Sequence, residues 1–96
     1  MEIHVTVDGS SATLAIEGWL DTQTAPDLGA ALAGLGEGVT QLVFDFAGLE
    51  YVSSAGIRQI VAAHKKMDGN LALCNVSPEV LEVLRLTGVG KRVNIV

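Results

Sequence analysis

The order in which strand-like and helical segments follow one another constrains the fold of this chain more than any other feature. Residues 3–7 (IHVTV) and 12–18 (ATLAIEG) alternate apolar and polar side chains, and Asp8-Gly9 between them is typical of a hairpin turn. The predicted order is strand, strand, helix, strand, helix, strand, helix, strand. Such alternation indicates an α/β domain with a mixed, mostly parallel sheet and an initial antiparallel strand.

The first two predicted helices begin at polar residues that can act as N-caps. Thr24 is the predicted cap of the first helix, and Asp27 completes a Thr-x-x-Asp capping box with it. Either Ser53 or Ser54 is expected to cap the second helix, and residues 47–50 before these serines are expected to form a loop. A serine hydroxyl is therefore predicted at a positively polarised helix end.

Composition excludes several classes of function. A chain of 96 residues is expected to form a single domain over residues 1–96. Its net charge of −5 argues against a nucleic-acid surface and against binding to anionic lipid. No apolar stretch is long enough to span a membrane and no secretory signal is visible, so we expect a cytoplasmic protein. The single cysteine, Cys74, excludes an internal disulfide.

Motifs for cofactors, metals and catalysis are also missing. The glycine clusters at 34–38 and 88–92 lack the spacing and position of nucleotide-binding loops. His4 and His64 show no paired spacing typical of a metal site. If Ser54 starts a helix, His64 lies about 15 Å along it, too far to act as a base. We therefore expect neither a cofactor, nor a metal, nor an enzyme.

Two aspartates lie near the ends of predicted strands. Asp21 follows one strand, Asp45 lies near the end of the next, and Ser53 and Ser54 precede the second helix. In a mostly parallel sheet, the strand ends that lead into helices gather at one edge, where binding sites tend to form. These four residues are therefore expected to share one edge, although a turn-forming role would also explain each aspartate singly.

Two stretches of the chain carry distinctive motifs. In the first, Gly18-Trp19-Leu20-Asp21 ends an apolar strand in the pattern Gly-x-Leu-Asp. The second contains Asp45, Leu49, Tyr51-Val52 and the run from Ser53 to Ile57. Together they resemble the first and second motifs of the anti-sigma factor antagonist family. The resemblance covers essentially the whole chain. It implies the STAS fold, with helices packed mainly on one face of the sheet.

The resemblance also implies a function and a site. In this family, a serine at the start of the second helix is phosphorylated by a GHKL-type kinase that is also the anti-sigma factor, and a serine phosphatase reverses the modification. Carried over by position, the acceptor is Ser54, while Ser53 stands where an aspartate is usual. The chain would then be a bacterial regulator that frees a sigma factor for transcription. The residues expected to contact the partner are Asp21, Thr22, Asp45, Ser53, Ser54, Gly56 and Arg58.

Two other interpretations remain open at this point. A stand-alone STAS domain could serve a different signalling assembly, or bind a small ligand or nucleotide at the same edge. A small serine hydrolase would need a base near Ser54, and the sequence offers none.

Overall fold

Six strands and three α-helices make up the structure, a computed structural model that describes residues 1–96. The strands are β1 (Glu2–Asp8), β2 (Ser11–Leu20), β3 (Gln41–Asp45), β4 (Leu49–Val52), β5 (Leu71–Cys74) and β6 (Asn94–Ile95). The helices are α1 (Ala25–Ala33), α2 (Ser54–Lys66) and α3 (Pro78–Thr87), and a 3-10 turn follows at Val89–Lys91. None of the three helices has both the length and the apolar character needed to cross a bilayer.

The strands form one mixed sheet in the order β1-β2-β3-β5-β6. β1 pairs antiparallel with β2 through the hairpin at Asp8-Gly9, and the other neighbours pair in parallel. The prediction of a mostly parallel sheet with an initial antiparallel strand is therefore confirmed.

All three helices pack on the same face of this sheet. Alternate residues of β2, β3 and β5 point into a single apolar core, which the buried residues of the helices complete. The largest fully buried side chains include Leu14, Ile16, Phe44, Leu73, Leu28, Ile60 and Leu84. On the other face of the sheet, Ala15, Val43 and Ala72 are only half-buried, because no helix covers them. The predicted single helical layer is confirmed.

The strand β4 corrects the prediction that residues 47–50 form a loop. Leu49 and Glu50 already belong to β4, which pairs in parallel with the last part of β2. The register shifts between Gly18 and Trp19, because their partners are Leu49 and Tyr51, so the extra residue of this bulge is Glu50 of β4. Because β3 pairs only with Ser11 to Ala15 of β2, the later part of β2 is free, and β4 pairs there with Gly18 to Leu20.

The predicted capping box of α1 does not form. The side chain of Thr24 makes no capping hydrogen bond, and no bond joins the side chain of Asp27 to Thr24. The backbone N–H of Thr24 donates instead to Oδ1 of Asp21 at 3.1 Å. The turn before α1 is therefore organised by Asp21, the aspartate that directly follows β2.

Candidate functional site

The first turn of α2 lies directly against the end of β2. The backbone N–H of Ser53 donates to the carbonyl oxygen of Leu20 at 2.9 Å. Gly56 approaches so closely that a Cβ at this position would lie 2.7 Å from Cγ of Leu20 and 2.7 Å from Cγ2 of Val52. The glycine thus lets the helix start pack on the strand ends, which fixes where both serines lie.

The two adjacent serines have different environments. Ser53 is the N-cap of α2: its backbone is extended, and its half-buried side chain accepts a hydrogen bond from the backbone N–H of Gly56 at 3.5 Å. Ser54 is the first residue of the helix and is exposed, and its hydroxyl makes no hydrogen bond within the chain. The structure therefore assigns the cap to Ser53 and leaves the Ser54 hydroxyl free.

Asp21 holds together the turn beside these serines. Its Oδ1 accepts hydrogen bonds from the backbone N–H groups of Gln23 at 3.0 Å and Thr24 at 3.1 Å. The backbone N–H of Asp21 donates in return to the Thr24 hydroxyl oxygen at 2.8 Å. The hydrogen bond from the Thr24 backbone is the main cause that lowers the pKa of the Asp21 carboxyl. Asp21 is thus an ionised carboxylate that is already used inside its own turn, while neighbouring Thr22 is exposed.

Asp45 lies away from this group. It pairs with Ala15 of β2, and about 16 Å of strand separates that level from Leu20. Its Oδ1 accepts from Nδ2 of Asn75 at 2.9 Å and from the backbone N–H of Ala47 at 3.0 Å, and the Asn75 bond is the main cause that lowers its pKa. The expected grouping of Asp45 with Asp21 and the serines does not form, because β3 is shorter than β2 and β4 takes the place beside it.

Arg58 is the basic residue of α2 nearest to the serines. It lies four residues after Ser54, so both side chains project from the same side of the helix, and both are exposed. Arg58 forms no ion pair in the structure, and the first turn of α2 contains no acidic residue. The helix start therefore offers a free hydroxyl with an uncompensated cation one turn away.

The sequence prediction did not include an exposed aromatic pair beside this site. Trp19 in β2 and Tyr51 in β4 are register partners, and their ring centroids lie 5.2 Å apart with the planes tilted by 43°. Trp19 is 57% exposed and Tyr51 is 46% exposed. Each precedes a site residue by two positions, Asp21 and Ser53 respectively. That spacing was visible in the sequence, but the contact between the rings depends on the unpredicted strand β4.

One other cluster collects side chains that can bind metal ions. The ligand atoms of Glu2, His4 and Glu17 lie within 4.8 Å of one another, and all three residues are exposed. Nε2 of His4 lies 2.9 Å from a carboxylate oxygen of Glu17, and this hydrogen bond is the main cause that raises the pKa of His4. The spacing along the sequence did not reveal this group, because the hairpin register brings Glu17 opposite Glu2.

The concave regions of the surface lie elsewhere. One of about 450 Å³ is lined by Val5, Val7 and Leu35 among others, between β1 and the end of α1. Another, of about 70 Å³, is lined by Tyr51 and Val83 among others. Five concave regions of the surface, these two among them, have no lining contribution from Asp21, Ser53 or Ser54. The site is therefore an exposed surface, which suits a macromolecular partner better than an enclosed small ligand.

A mixed sheet with helices on one face and an exposed serine at a helix start define a small α/β domain that presents a free serine hydroxyl at the start of α2. The family model described as the STAS domain matches residues 2–96, so the chain belongs to the STAS domain family.

Relatives of this chain are named as anti-sigma factor antagonists. It is 34% identical over 77 residues to BtrV of Bordetella bronchiseptica, whose name describes a candidate anti-sigma factor antagonist; the match covers 76% of this chain and 66% of that protein, just under two thirds. An anti-sigma factor antagonist from Mycobacterium paratuberculosis has a similar structure, with a TM-score of 0.86 and 23% identity over 98% of this chain and 83% of that one.

The antagonist SpoIIAA has been solved in two forms, and both resemble this chain. The unphosphorylated form has a TM-score of 0.78 and 17% identity, and the match covers 99% of this chain and 87% of that one. The phosphorylated Bacillus form has a TM-score of 0.68 and 19% identity, and the match covers 99% of this chain and 91% of that one. At these identities the likeness to solved structures establishes the fold.

Proposed function

We propose that this protein is an anti-sigma factor antagonist, a binding module that holds an anti-sigma factor while Ser54 is unmodified and releases it when Ser54 is phosphorylated. The observation that supports this most is the free, exposed hydroxyl of Ser54 at the first position of α2, in a chain of the STAS family. The name of its 34% identical relative supports the same role, and so does a phosphorylated form of SpoIIAA.

The environments of the two serines support Ser54 as the acceptor. The oxygen of Ser53 is directed at the backbone N–H of Gly56 and the residue is half-buried, so its modification would remove the cap of α2. The hydroxyl of Ser54 projects from the helix start with no internal partner, and a kinase can reach it without disturbing the fold.

The electrostatics of the helix start suit a phosphate. A phosphoserine carries about −1.5 to −2 charges at neutral pH. The first turn of α2 has no acidic residue, and the helix dipole favours a negative charge there by roughly 0.3 to 1 kcal/mol. The modified domain therefore stays folded, and the change acts at the surface.

The same charge prevents a partner from closing over this surface. Burying an unpaired charge at an interface costs several kcal/mol. A cost of about 4 kcal/mol already lowers the affinity roughly a thousandfold. Phosphorylation of Ser54 can therefore switch binding off without refolding the domain.

The proposed partners follow from this switch. A GHKL-type anti-sigma factor with serine kinase activity would bind and modify the domain in the cytoplasm, and a serine phosphatase would restore binding. Thr22, Ser54 and Arg58 are the exposed residues of the proposed contact surface, while Asp21 and Ser53 shape it from within. Gly56 lets the helix start pack closely enough to present that surface. The role proposed for the domain is binding, and it needs no catalytic group of its own.

The test is phosphorylation by the GHKL-type kinases of the same genome. Each purified kinase is incubated with the domain and ATP, and the phosphate is located by mass spectrometry. We expect one phosphate on Ser54 and loss of kinase binding after labelling. The Ser54→Ala variant should bind the kinase without being labelled, and the matched Ser53→Ala variant should still be labelled.

Other outcomes would contradict the proposal. Labelling at Ser53, or at Ser54 without loss of affinity, would remove the switch. If no kinase from the genome binds the domain at all, the antagonist role fails, and a different signalling assembly becomes the better interpretation.

A further inference from the structure

The exposed aromatic surface of this chain is confined to one place. The chain contains one Trp, one Tyr and two Phe. Phe44 and Phe46 are buried in the core, whereas Trp19 and Tyr51 are exposed and contact each other. No other exposed aromatic residue exists in the protein.

The folding of the domain does not account for this exposure. Leu20, next to Trp19, is fully buried under the helices, so the alternation of β2 directs Trp19 to the opposite face. The indole therefore remains 57% exposed beside a phenol that is 46% exposed. Large apolar side chains left together at a surface mark interaction sites, and Trp and Tyr are enriched at the residues that dominate binding energy.

The pair is continuous with the proposed switch. The carbonyl oxygen of Trp19 lies 2.7 Å from the Thr24 hydroxyl, which belongs to the turn held by Asp21. Tyr51 is two residues before the N-cap Ser53 on the neighbouring strand. A protein that covers Ser54 would therefore reach the aromatic pair with the adjoining part of its surface.

The charges around the pair indicate the chemistry of the partner. Glu50 is exposed and directly precedes Tyr51 on β4, whereas the carboxylate of Glu17 is already paired with His4. The whole chain has a net charge of −5. An aromatic pair beside a free carboxylate in an acidic chain favours a Lys or Arg side chain, which gains both cation–π and ionic attraction.

We propose that Trp19 and Tyr51 form the anchor on which the anti-sigma factor docks, with a Lys or Arg of that partner over the rings and beside Glu50. This inference rests on the proposed antagonist function, because the occupant is the same protein that the Ser54 switch controls. It adds a docking point that the modification itself does not touch.

Trp19 itself provides the first test, because it is the only tryptophan in the chain. The unmodified domain is titrated, in the absence of ATP, with the kinase identified above, in a form whose own tryptophans are replaced by Phe. We expect the Trp19 emission to shift to the blue and its quenching by acrylamide to fall severalfold on binding. If the complex forms, as seen by size-exclusion chromatography, and the Trp19 emission and quenching stay unchanged, the docking proposal is overturned while the antagonist function stands.

Substitutions provide the second test. Trp19→Ala and Tyr51→Ala should each weaken binding about 30-fold, the effect of a residue at the threshold of an interface hot spot. Leu86→Ala is the matched control, since Leu86 is 70% exposed on α3, and it should leave the affinity unchanged. Circular dichroism establishes that each variant is folded before its affinity is measured.

Two substitutions of Glu50 test whether the partner contributes a positive charge, and the affinity for the kinase is again the measurement. Glu50→Lys should weaken binding further than Glu50→Gln, and added salt should reduce the difference between them. Equal affinities for the wild type and both aromatic variants would overturn the anchor. If the wild type binds no kinase, the antagonist function fails and the anchor fails with it.

Discussion

Replacing Gly56 by alanine tests how tightly the functional surface depends on packing. A Cβ at this position would lie 2.7 Å from Cγ of Leu20 and from Cγ2 of Val52, and 2.9 Å from the carbonyl oxygen of Leu20. Carbon atoms normally pack at about 3.5 to 4.0 Å. Leu20 is fully buried and Val52 is 3% exposed, so neither can move aside. The added methyl group must therefore push α2 away from β2.

The expected size of this effect comes from two opposing contributions. Overpacking a rigid core costs about 1 to 3 kcal/mol, and replacing a glycine inside a helix by alanine returns about 0.5 to 1 kcal/mol. Because both contacts at 2.7 Å are with buried side chains, the cost falls in the upper part of its range, and we expect Gly56→Ala to lower the free energy of unfolding by about 1 to 2 kcal/mol. For a domain of this size, that corresponds to a decrease in Tm of about 5 to 15 °C in a thermal unfolding experiment.

Gly29→Ala is the matched control in the middle of α1. A Cβ at Gly29 would lie 3.3 Å from Oε1 and 3.4 Å from Nε2 of Gln59, a flexible side chain that can rotate away. This substitution should therefore raise the unfolding free energy by about 0.5 to 1 kcal/mol. An unfolding temperature of Gly56→Ala at or above that of the wild type would refute the reasoning. The reasoning would also be refuted if Gly29→Ala destabilised the domain as much as Gly56→Ala does.

Three further predictions address charges near the start of α2 and on the hairpin of β1 and β2. Ser53→Asp should stabilise the domain by about 0.3 to 1 kcal/mol in urea unfolding at pH 7, because α2 has no acidic residue in its first turn; a loss of stability would contradict this. The pKa of His4 is raised by Glu17, so its contribution to stability is complete below about pH 6.5 and is lost as the pH rises through the folded pKa; Glu17→Gln should lower the His4 pKa in an NMR titration, and an unchanged value would reject the ion pair. Arg58→Ala should reduce the unfolding free energy of the Ser54-phosphorylated protein by about 0.2 to 0.5 kcal/mol more than that of the unmodified protein; equal losses would mean that Arg58 does not contact the phosphate.

The order of the elements could be predicted from the sequence because its signals are local. Asp8-Gly9 supplies a hairpin turn, Ser77-Pro78 supplies a helix start, and the apolar spacing between such points distinguishes strand from helix. Each of these signals determines the backbone conformation only of residues close to it in the sequence. The mixed sheet and the single helical layer then follow from the rules for parallel connections.

The strand β4 could not be predicted, because its residues do not alternate. Leu49 and Val52 are buried while Glu50 and Tyr51 between them are exposed, a pattern that gives no strand period. The segment becomes a strand by pairing with Gly18 to Leu20 at the C-terminal end of β2, with a register shift between Gly18 and Trp19. That pairing depends on β3 being short, which is a non-local property.

The candidate site shows the same division between local and non-local information. Asp21 and the two serines were placed together from strand ends alone, and the Leu20–Ser53 hydrogen bond brings them together in the structure. The rule failed for Asp45 because parallel strands of different length end at different levels. Neither could the sequence decide which serine caps α2, because the choice depends on how Gly56 packs against Leu20.

The resemblance to the anti-sigma factor antagonists places Ser53 where an aspartate is usual, and this difference would change the electrostatics of the proposed switch. Ser53 keeps the capping oxygen, so α2 still begins at Ser54, but the helix start then has no carboxylate of its own. A phosphate on Ser54 is consequently the first full negative charge there, and it meets an uncompensated dipole and the unpaired Arg58 one turn away. An aspartate at position 53 would already occupy part of that positive potential. Phosphorylation of Ser54, as proposed, would therefore bring the first full negative charge to the start of α2, whereas an aspartate at position 53 would already have supplied one. A partner that recognises this surface by its charge would meet the larger contrast in this chain.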